Sequence, residues 1–104
     1  MKWTRVAAMG DVPEDGTLFV RVDRTPICLY NVGGEILATH DTCTHGQASL
    51  AEGFILDGDK IECPLHQGLF EIRTGKAVGA PCVVDVAVFP VKVEDGAVLV
   101  GTAE

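Results

Sequence analysis

The chain has 104 residues, of which 47% are hydrophobic and 22% charged, and fifteen acidic against eight basic side chains give it a formal net charge of −7. This length and composition predict a single folded domain, residues 1–104, and argue against a disordered chain. The negative charge argues against anionic partners such as nucleic acid or an anionic membrane surface, and it favours a partner with a positive docking patch.

The N-terminal segment MKWTRVAAMGDVPEDG has no apolar run long enough for a signal peptide. No stretch of the chain approaches the length of a membrane span. We therefore expect a cytoplasmic protein. Because thiols stay reduced in the cytoplasm, its four cysteines are interpreted as ligands or core residues rather than as disulfides.

The chain alternates in the way expected of β-strands separated by tight turns. In chain order, the predicted strands are TLFVRV (17–22), ICLYNV (27–32), EILATH (35–40), FIL (54–56), KIEC (60–63), LFEIR (69–73), VDVAVFPVKV (84–93) and AVLVG (97–101). Hairpin turns are predicted at Gly33–Gly34, Asp57–Gly58–Asp59 and Asp95–Gly96.

No segment shows an apolar stripe of helical period over three turns, and the best helical candidate is a short turn in GDVPED, residues 10–15. Pro90 interrupts an otherwise good strand, which predicts an edge strand or a bulge at that point. The expected fold class is therefore all-β, a small antiparallel sandwich or barrel.

Two cysteine–histidine pairs lie in polar loops that contain glycine and follow predicted strands. The first pair is Cys43 and His45 and the second is Cys63 and His66, with residues 46–62 between the pairs. Thiolate and imidazole together hold zinc or iron. A structural zinc site usually pairs its cysteines on one loop and its histidines on another, whereas each loop here carries one of each. That arrangement suits two thiolates on one metal and two imidazoles on a second.

The segments CTH at 43–45 and CPLH at 63–66 resemble the signature of Rieske proteins, which bind a 2Fe-2S cluster through two cysteines and two histidines. The resemblance covers nearly the whole chain and is greatest to the free ferredoxins of bacterial aromatic-ring-hydroxylating dioxygenases, of the naphthalene and nitroarene type. It implies a Rieske-type antiparallel β sandwich or barrel with a cluster-binding subdomain formed by two loops. It also implies one Rieske-type 2Fe-2S cluster, with Cys43 and Cys63 on the inner iron and His45 and His66 on the outer iron.

The same resemblance implies a soluble one-electron carrier rather than an enzyme. A flavin-containing ferredoxin reductase, fed by NADH or NADPH, would reduce it, and it would pass the electron to a terminal oxygenase. We expect a monomer, because a shuttle must dissociate from each partner. No nucleophile–base pair, phosphate-binding loop or dinucleotide fingerprint is found in the sequence, which agrees with a carrier.

Three alternatives stay open at this point. The chain resembles in length and fold the small, Rieske-like subunit of a cytosolic nitrite reductase. It could also serve another oxygenase, such as a monooxygenase or a salicylate-type hydroxylase. The third alternative is a structural zinc site in an interaction module.

The sequence allows less specific predictions for the two remaining cysteines, the third histidine and one proline. Cys28 lies in an apolar strand pattern and is expected to be a core residue. Cys82 follows Pro81 and could lie near the cluster, where we expect it to fill the core or a loop rather than to act as a ligand. His40 is expected to be structural or exposed rather than a ligand. Pro81 resembles the proline-bearing third loop that covers the cluster in Rieske proteins, although a simple turn proline fits equally well.

The chain departs from the Rieske proteins of quinol-oxidising complexes at four positions. Their loop disulfide has no counterpart here, where the positions look like Ala48 and Leu65. Their serine and tyrosine donors correspond to Gly68 and Phe70, neither of which can donate through its side chain. Fewer donors stabilise the reduced state less, so we expect a potential near about −150 mV, the lower end of the Rieske range.

Overall fold

The computed structural model describes residues 1–44, 46–65 and 67–103. Within these ranges the chain forms eleven strands and two short 3₁₀ helices. The strands are β1 Lys2–Ala8, β2 Thr17–Val22, β3 Thr25–Val32, β4 Glu35–His40, β5 Phe54–Leu56, β6 Lys60–Glu62, β7 Leu69–Glu71, β8 Ala77–Gly79, β9 Val88–Phe89, β10 Val91–Glu94 and β11 Ala97–Thr102. The helices are Met9–Asp11 and Leu50–Glu52, and no helix in the described ranges is long and apolar enough to cross a membrane.

Two antiparallel sheets form the base of the molecule. The first has strand order β1-β11-β10 and the second β2-β3-β4-β9. Their facing side chains form one core, in which Val98 and Val100 of β11 and Ile27 and Leu29 of β3 are completely buried. Burying a valine or leucine side chain of this kind is worth about 1.5–3 kcal/mol, so this core is a main source of stability.

β3 is buried on both faces, because its alternate residues point into two different cores. Cys28 and Tyr30 point away from the first core and pack with Ile61 and Phe70, which belong to a third antiparallel sheet of order β5-β6-β7-β8. This small sheet and its loops therefore lie on the outer face of the second sheet. The all-β prediction, with a loop-bearing subdomain on an antiparallel sandwich, is confirmed.

The predicted hairpin turns are all present, and each uses residues with positive φ. A two-residue turn of this kind needs positive φ at both central positions, which glycine and aspartate tolerate best. The observed values are 61° and 92° at Gly33 and Gly34, 54° and 70° at Asp57 and Gly58, and 50° and 78° at Asp95 and Gly96.

Pro90 divides the long strand that the sequence predicted for residues 84–93. β9 before it pairs with β4 in the second sheet, whereas β10 after it pairs with β11 in the first sheet. Each lies at the edge of its sheet, as expected for a strand next to proline. The chain therefore passes from one sheet to the other at this residue, and residues 84–87 are not a strand at all.

Two further points differ from the sequence pattern. The short turn expected at residues 10–15 is a 3₁₀ turn at Met9–Asp11. The sequence pattern also predicted no strand at β1 or β8. In the structure β1 pairs with β11, which is distant in sequence, and β8 pairs with β7 across a bulge. Their strand conformation depends on these partners rather than on local alternation.

Candidate metal centre

The two loops that carry the predicted ligands are hairpin connections of the same length. In the first, Thr42 pairs with Ser49 and the Cys43 N–H donates to the Ala48 carbonyl at 2.9 Å. In the second, Glu62 pairs with Leu69 and the Cys63 N–H donates to the Gly68 carbonyl at 2.8 Å. Each cysteine is therefore the first residue inside its loop, held by the hydrogen bond that closes that loop.

The structure brings the two predicted cysteine ligands together in one dry pocket. Cys43 is 3% exposed and Cys63 is 1% exposed. Burial, and secondly hydrogen bonding with the Cys43 side chain, raise the pKa of Cys63 to about 11. Two adjacent thiolates could persist in such surroundings only beside a positive charge, which a bound metal supplies. The donor set therefore fits a metal cofactor.

The first loop is tied to the sheet by a buried carboxylate two residues before Cys43. Asp41 is 4% exposed, and its Oδ1 accepts a hydrogen bond from the Ala51 N–H at 2.9 Å. Its backbone N–H donates to Pro26 at 3.0 Å and its carbonyl accepts from Leu50 at 2.7 Å. Both ends of the loop are therefore fixed through one residue.

His40 has the structural role that the sequence suggested. Its backbone N–H donates to the Ala87 carbonyl at 2.8 Å, and its Nδ1 accepts from the Thr42 N–H at 3.2 Å. With the Nδ1 so engaged, the side chain supports the start of the first loop.

A third loop, residues 80–87, closes over the first. It begins at a cis peptide bond between Ala80 and Pro81. The Thr44 hydroxyl donates to the Val84 carbonyl at 2.6 Å, and the Cys82 Sγ lies 3.8 Å from the Cys43 Sγ. The structure thus places the proline-bearing segment beside the ligand loops.

A short chain of hydrogen bonds between the hydroxyl groups of Tyr30 and Thr39 lies on the outer face of the second sheet. The Thr39 hydroxyl donates to the His40 carbonyl at 2.9 Å, so the Tyr30 hydroxyl, 2.8 Å from Thr39 Oγ1, is the donor of that pair. Burial raises the pKa of Cys28 to about 12 and that of Tyr30 well above its ordinary value. Cys28 is fully buried in β3, as predicted for a core residue, and stays a neutral thiol.

Of the four predicted ligands, Cys43 and Cys63 are described and adjacent, whereas His45 and His66 lie outside the described residues. Among the described residues, no three His, Cys, Asp or Glu side chains form a metal site by themselves. Sequence reasoning did not identify Asp41 as the anchor of the first loop. Its position two residues before a ligand was the available signal.

The chain matches a known family and is similar to named ferredoxins. Residues 2–90 match the Rieske 2Fe-2S domain family. The ferredoxin component of the naphthalene 1,2-dioxygenase/salicylate 5-hydroxylase systems of a Ralstonia species is 47% identical over 93 residues, covering 89% of this chain and 88% of that protein.

Solved structures agree with this. The ferredoxin of carbazole 1,9a-dioxygenase from Nocardioides aromaticivorans IC177 has a TM-score of 0.93 at 30% identity, over 99% of this chain and all of that one. A complex of reduced oxygenase and oxidized ferredoxin in carbazole 1,9a-dioxygenase contains a chain with a TM-score of 0.87 at 47% identity, over 94% of this chain and 91% of that one.

The nitrite reductase alternative has less support. A putative NADH-dependent nitrite reductase small subunit from Mycobacterium tuberculosis has a TM-score of 0.88 but only 20% identity, covering 99% of this chain and 96% of that one. That likeness shows the fold alone. The match along residues 2–90, the paired hairpin loops and the ferredoxin relatives together establish that the chain belongs to the Rieske 2Fe-2S domain family.

Proposed function

We propose that this protein is a soluble one-electron carrier of an aromatic-ring-hydroxylating dioxygenase system. It accepts electrons from an NAD(P)H-dependent flavin reductase and passes them to the terminal oxygenase. The observation that carries this proposal is the pair of matched hairpin loops, each presenting a buried cysteine, in a chain whose relatives are named as ferredoxin components. The protein is a redox component and not itself a catalyst.

We assign the ligand set to Cys43, His45, Cys63 and His66, which hold one Rieske-type 2Fe-2S cluster. When bound, such a cluster supplies a one-electron couple at a higher potential than a four-cysteine cluster, because two neutral imidazoles replace two thiolates. The lack of side-chain donors at Gly68 and Phe70 supports a potential near the lower end of the Rieske range, about −150 mV.

The protein's own residues keep water away from the sulfur side of the site. The two ligand cysteines are buried among Leu50, Ile61 and Phe70, none of which is exposed to solvent. The loop-closing hydrogen bonds fix the backbone of both cysteines. A site fixed in this way changes little in geometry when charge is added, which favours fast electron transfer.

The docking surface is proposed at the same end of the molecule. Three apolar side chains are exposed on the second and third loops: Leu65 at 50%, Val83 at 82% and Val84 at 60%. We call these three residues the apolar rim. We propose that the apolar rim contacts the protein partner, because exposed apolar patches mark protein interaction sites. Leu65 also precedes the proposed ligand His66 directly in the sequence.

The proposal also includes the domain organisation, the cellular location and the oligomeric state. The chain acts as a single domain, residues 1–104, in the cytoplasm, and it is monomeric between encounters. Its net charge of −7 supports solubility and attraction to positively charged partner surfaces.

Reconstitution tests the proposal. Cluster-loaded protein is combined with a flavin reductase, NADH and the terminal oxygenase of a naphthalene-type or carbazole-type system, and aromatic product is measured. We expect product formation to depend on the added protein. Coupling to a nitrite reductase catalytic subunit, with no product from the oxygenases, would contradict the proposal.

A further inference from the structure

The pocket holds a third thiol that the proposed ligand set does not use. The Cys82 Sγ lies 3.8 Å from the Cys43 Sγ, within reach of a hydrogen bond between sulfurs, and Cys82 is 4% exposed. Four protein ligands already satisfy a Rieske-type cluster. The third sulfur therefore needs an explanation other than ligation.

Both ligand loops fix the position of this thiol. A Cβ at Gly68 would overlap the Cys82 Sγ, so the absence of a side chain at Gly68 makes the space that Cys82 occupies. The Gly68 carbonyl accepts from the Cys63 N–H at 2.8 Å, and the Cys82 N–H donates to Gly79 at 3.1 Å. Cys82 is thus packed between the second loop and the sulfur of the first.

The direction of the hydrogen bond follows from the chemistry of the two sulfurs. A cysteine that ligates iron does so as a thiolate and has no proton to donate. An ordinary thiol is protonated at neutral pH. With the cluster in place, only Cys82 can be the donor, and the Cys43 sulfur must be the acceptor.

We propose that Cys82 is a positioning residue whose S–H donates to the Cys43 sulfur and raises the reduction potential of the site. This inference rests on the proposed function, because it assumes that Cys43 is an iron ligand. Hydrogen bonds to ligand sulfurs stabilise the more electron-rich, reduced state. Cys82 thereby supplies, as a weak donor, a contact that Gly68 and Phe70 cannot supply through their side chains.

The first experiment compares reduction potentials of cluster-loaded variants. We expect Cys82→Ala to make reduction about tenfold less favourable, a fall of about 59 mV for a one-electron couple. Cys82→Ser keeps a donor and should recover most of the difference. The control is Cys28→Ser, at a buried thiol in β3, which should leave the potential unchanged. Equal shifts in Cys82→Ala and Cys82→Ser, or no shift in either, would overturn the proposal.

The second experiment uses the wild-type protein and so does not depend on whether Cys82→Ala folds. In the loaded protein the remaining thiols are those of Cys28 and Cys82, and the infrared S–H stretching region is free of other protein bands. We expect one S–H band to move to lower frequency on reduction, to persist in Cys28→Ser and to vanish in Cys82→Ser. A loaded protein whose S–H bands do not respond to reduction contradicts this inference. A protein without a 2Fe-2S cluster contradicts the proposed function itself.

Discussion

At the scale of single residues, the four cysteines have distinct roles although all four are buried. We expect Cys63→Ala to lose the cluster completely, because it removes one of two thiolates on the same iron. Cys28→Ser should keep the full iron content, since Cys28 lies in β3, where it donates to the Leu29 carbonyl, and is not one of the assigned ligands. Visible absorption and iron analysis of the purified variants measure this. Loss of colour in Cys28→Ser would mean that the ligands are misassigned.

Asp41 provides a second residue-scale test. Removing its carboxylate in Asp41→Ala takes the acceptor away from the part-buried Ala51 N–H, and the lost hydrogen bond costs about 1 kcal/mol. Thermal unfolding of the loaded protein should show this as a lower Tm, by roughly 4–8 °C for each kcal/mol. Asp41→Asn keeps a side-chain carbonyl and is the matched control. Equal Tm losses in both variants would show that the charge, and not the accepted hydrogen bond, stabilises the loop.

The sequence predicts the role of a residue where that role depends on the chemistry of its side chain and not on its neighbours in the fold. The segments CTH and CPLH predict four ligands, because thiolate and imidazole are among the few side chains that bind iron. The sequence suggested that Cys82 could lie near the cluster, but its direct contact with the Cys43 sulfur was not predictable, since 38 intervening residues, 44–81, separate the two sulfurs along the chain. That contact depends on how the third loop folds back.

At the scale of elements, two turn glycines allow the cost of a left-handed backbone conformation to be distinguished from the cost of a steric clash. Gly75 and Gly96 have φ of 76° and 78°. A Cβ at Gly75 would overlap the Val86 carbonyl oxygen, whereas a Cβ at Gly96 would meet no atom within 4 Å. Gly96→Ala should therefore cost only the left-handed strain, about 1–2 kcal/mol.

Gly75→Ala should cost more, about 2–6 kcal/mol, because overpacking adds to the strain. It should also lower iron retention, because Val86 belongs to the third loop and its N–H donates to Gly75 at 2.8 Å. The Tm and the iron content of the two variants are the measurements. Similar values for both would mean that the third loop does not help to hold the site.

Elements were predicted well where hydrophobic alternation and turn chemistry coincide, as in β2 to β4. The edge position expected at Pro90 is present, but the single strand predicted for residues 84–93 was wrong, because both halves of VDVAVFPVKV alternate although they belong to different sheets. Alternation reports that one face is buried, not which sheet buries it. The sequence did not predict that the two ligand loops have equal length, because the hydrogen bonds that close each loop define where it ends.

At the scale of the whole molecule, the net charge of −7 acts on partner encounters. Opposite fields raise association rates, and salt screens them as the Debye length falls from about 30 Å at 0.01 M to about 8 Å at 0.15 M. We expect the second-order rate of electron transfer to the oxygenase to fall by about tenfold over this range. Stopped-flow mixing measures it. A rate independent of salt would mean that the acidic surface only confers solubility.

The central claim is that two cysteines and two histidines hold a pair of irons. Pulsed EPR of the dithionite-reduced protein, with its three histidines labelled with ¹⁵N, tests this claim most directly. We expect a reduced 2Fe-2S signal with couplings from two histidine nitrogens, unchanged in His40→Gln, and no cluster signal in His45→Ala or His66→Ala. A protein that contains zinc and gives no EPR signal, or a cluster signal without histidine nitrogen coupling, would contradict the claim.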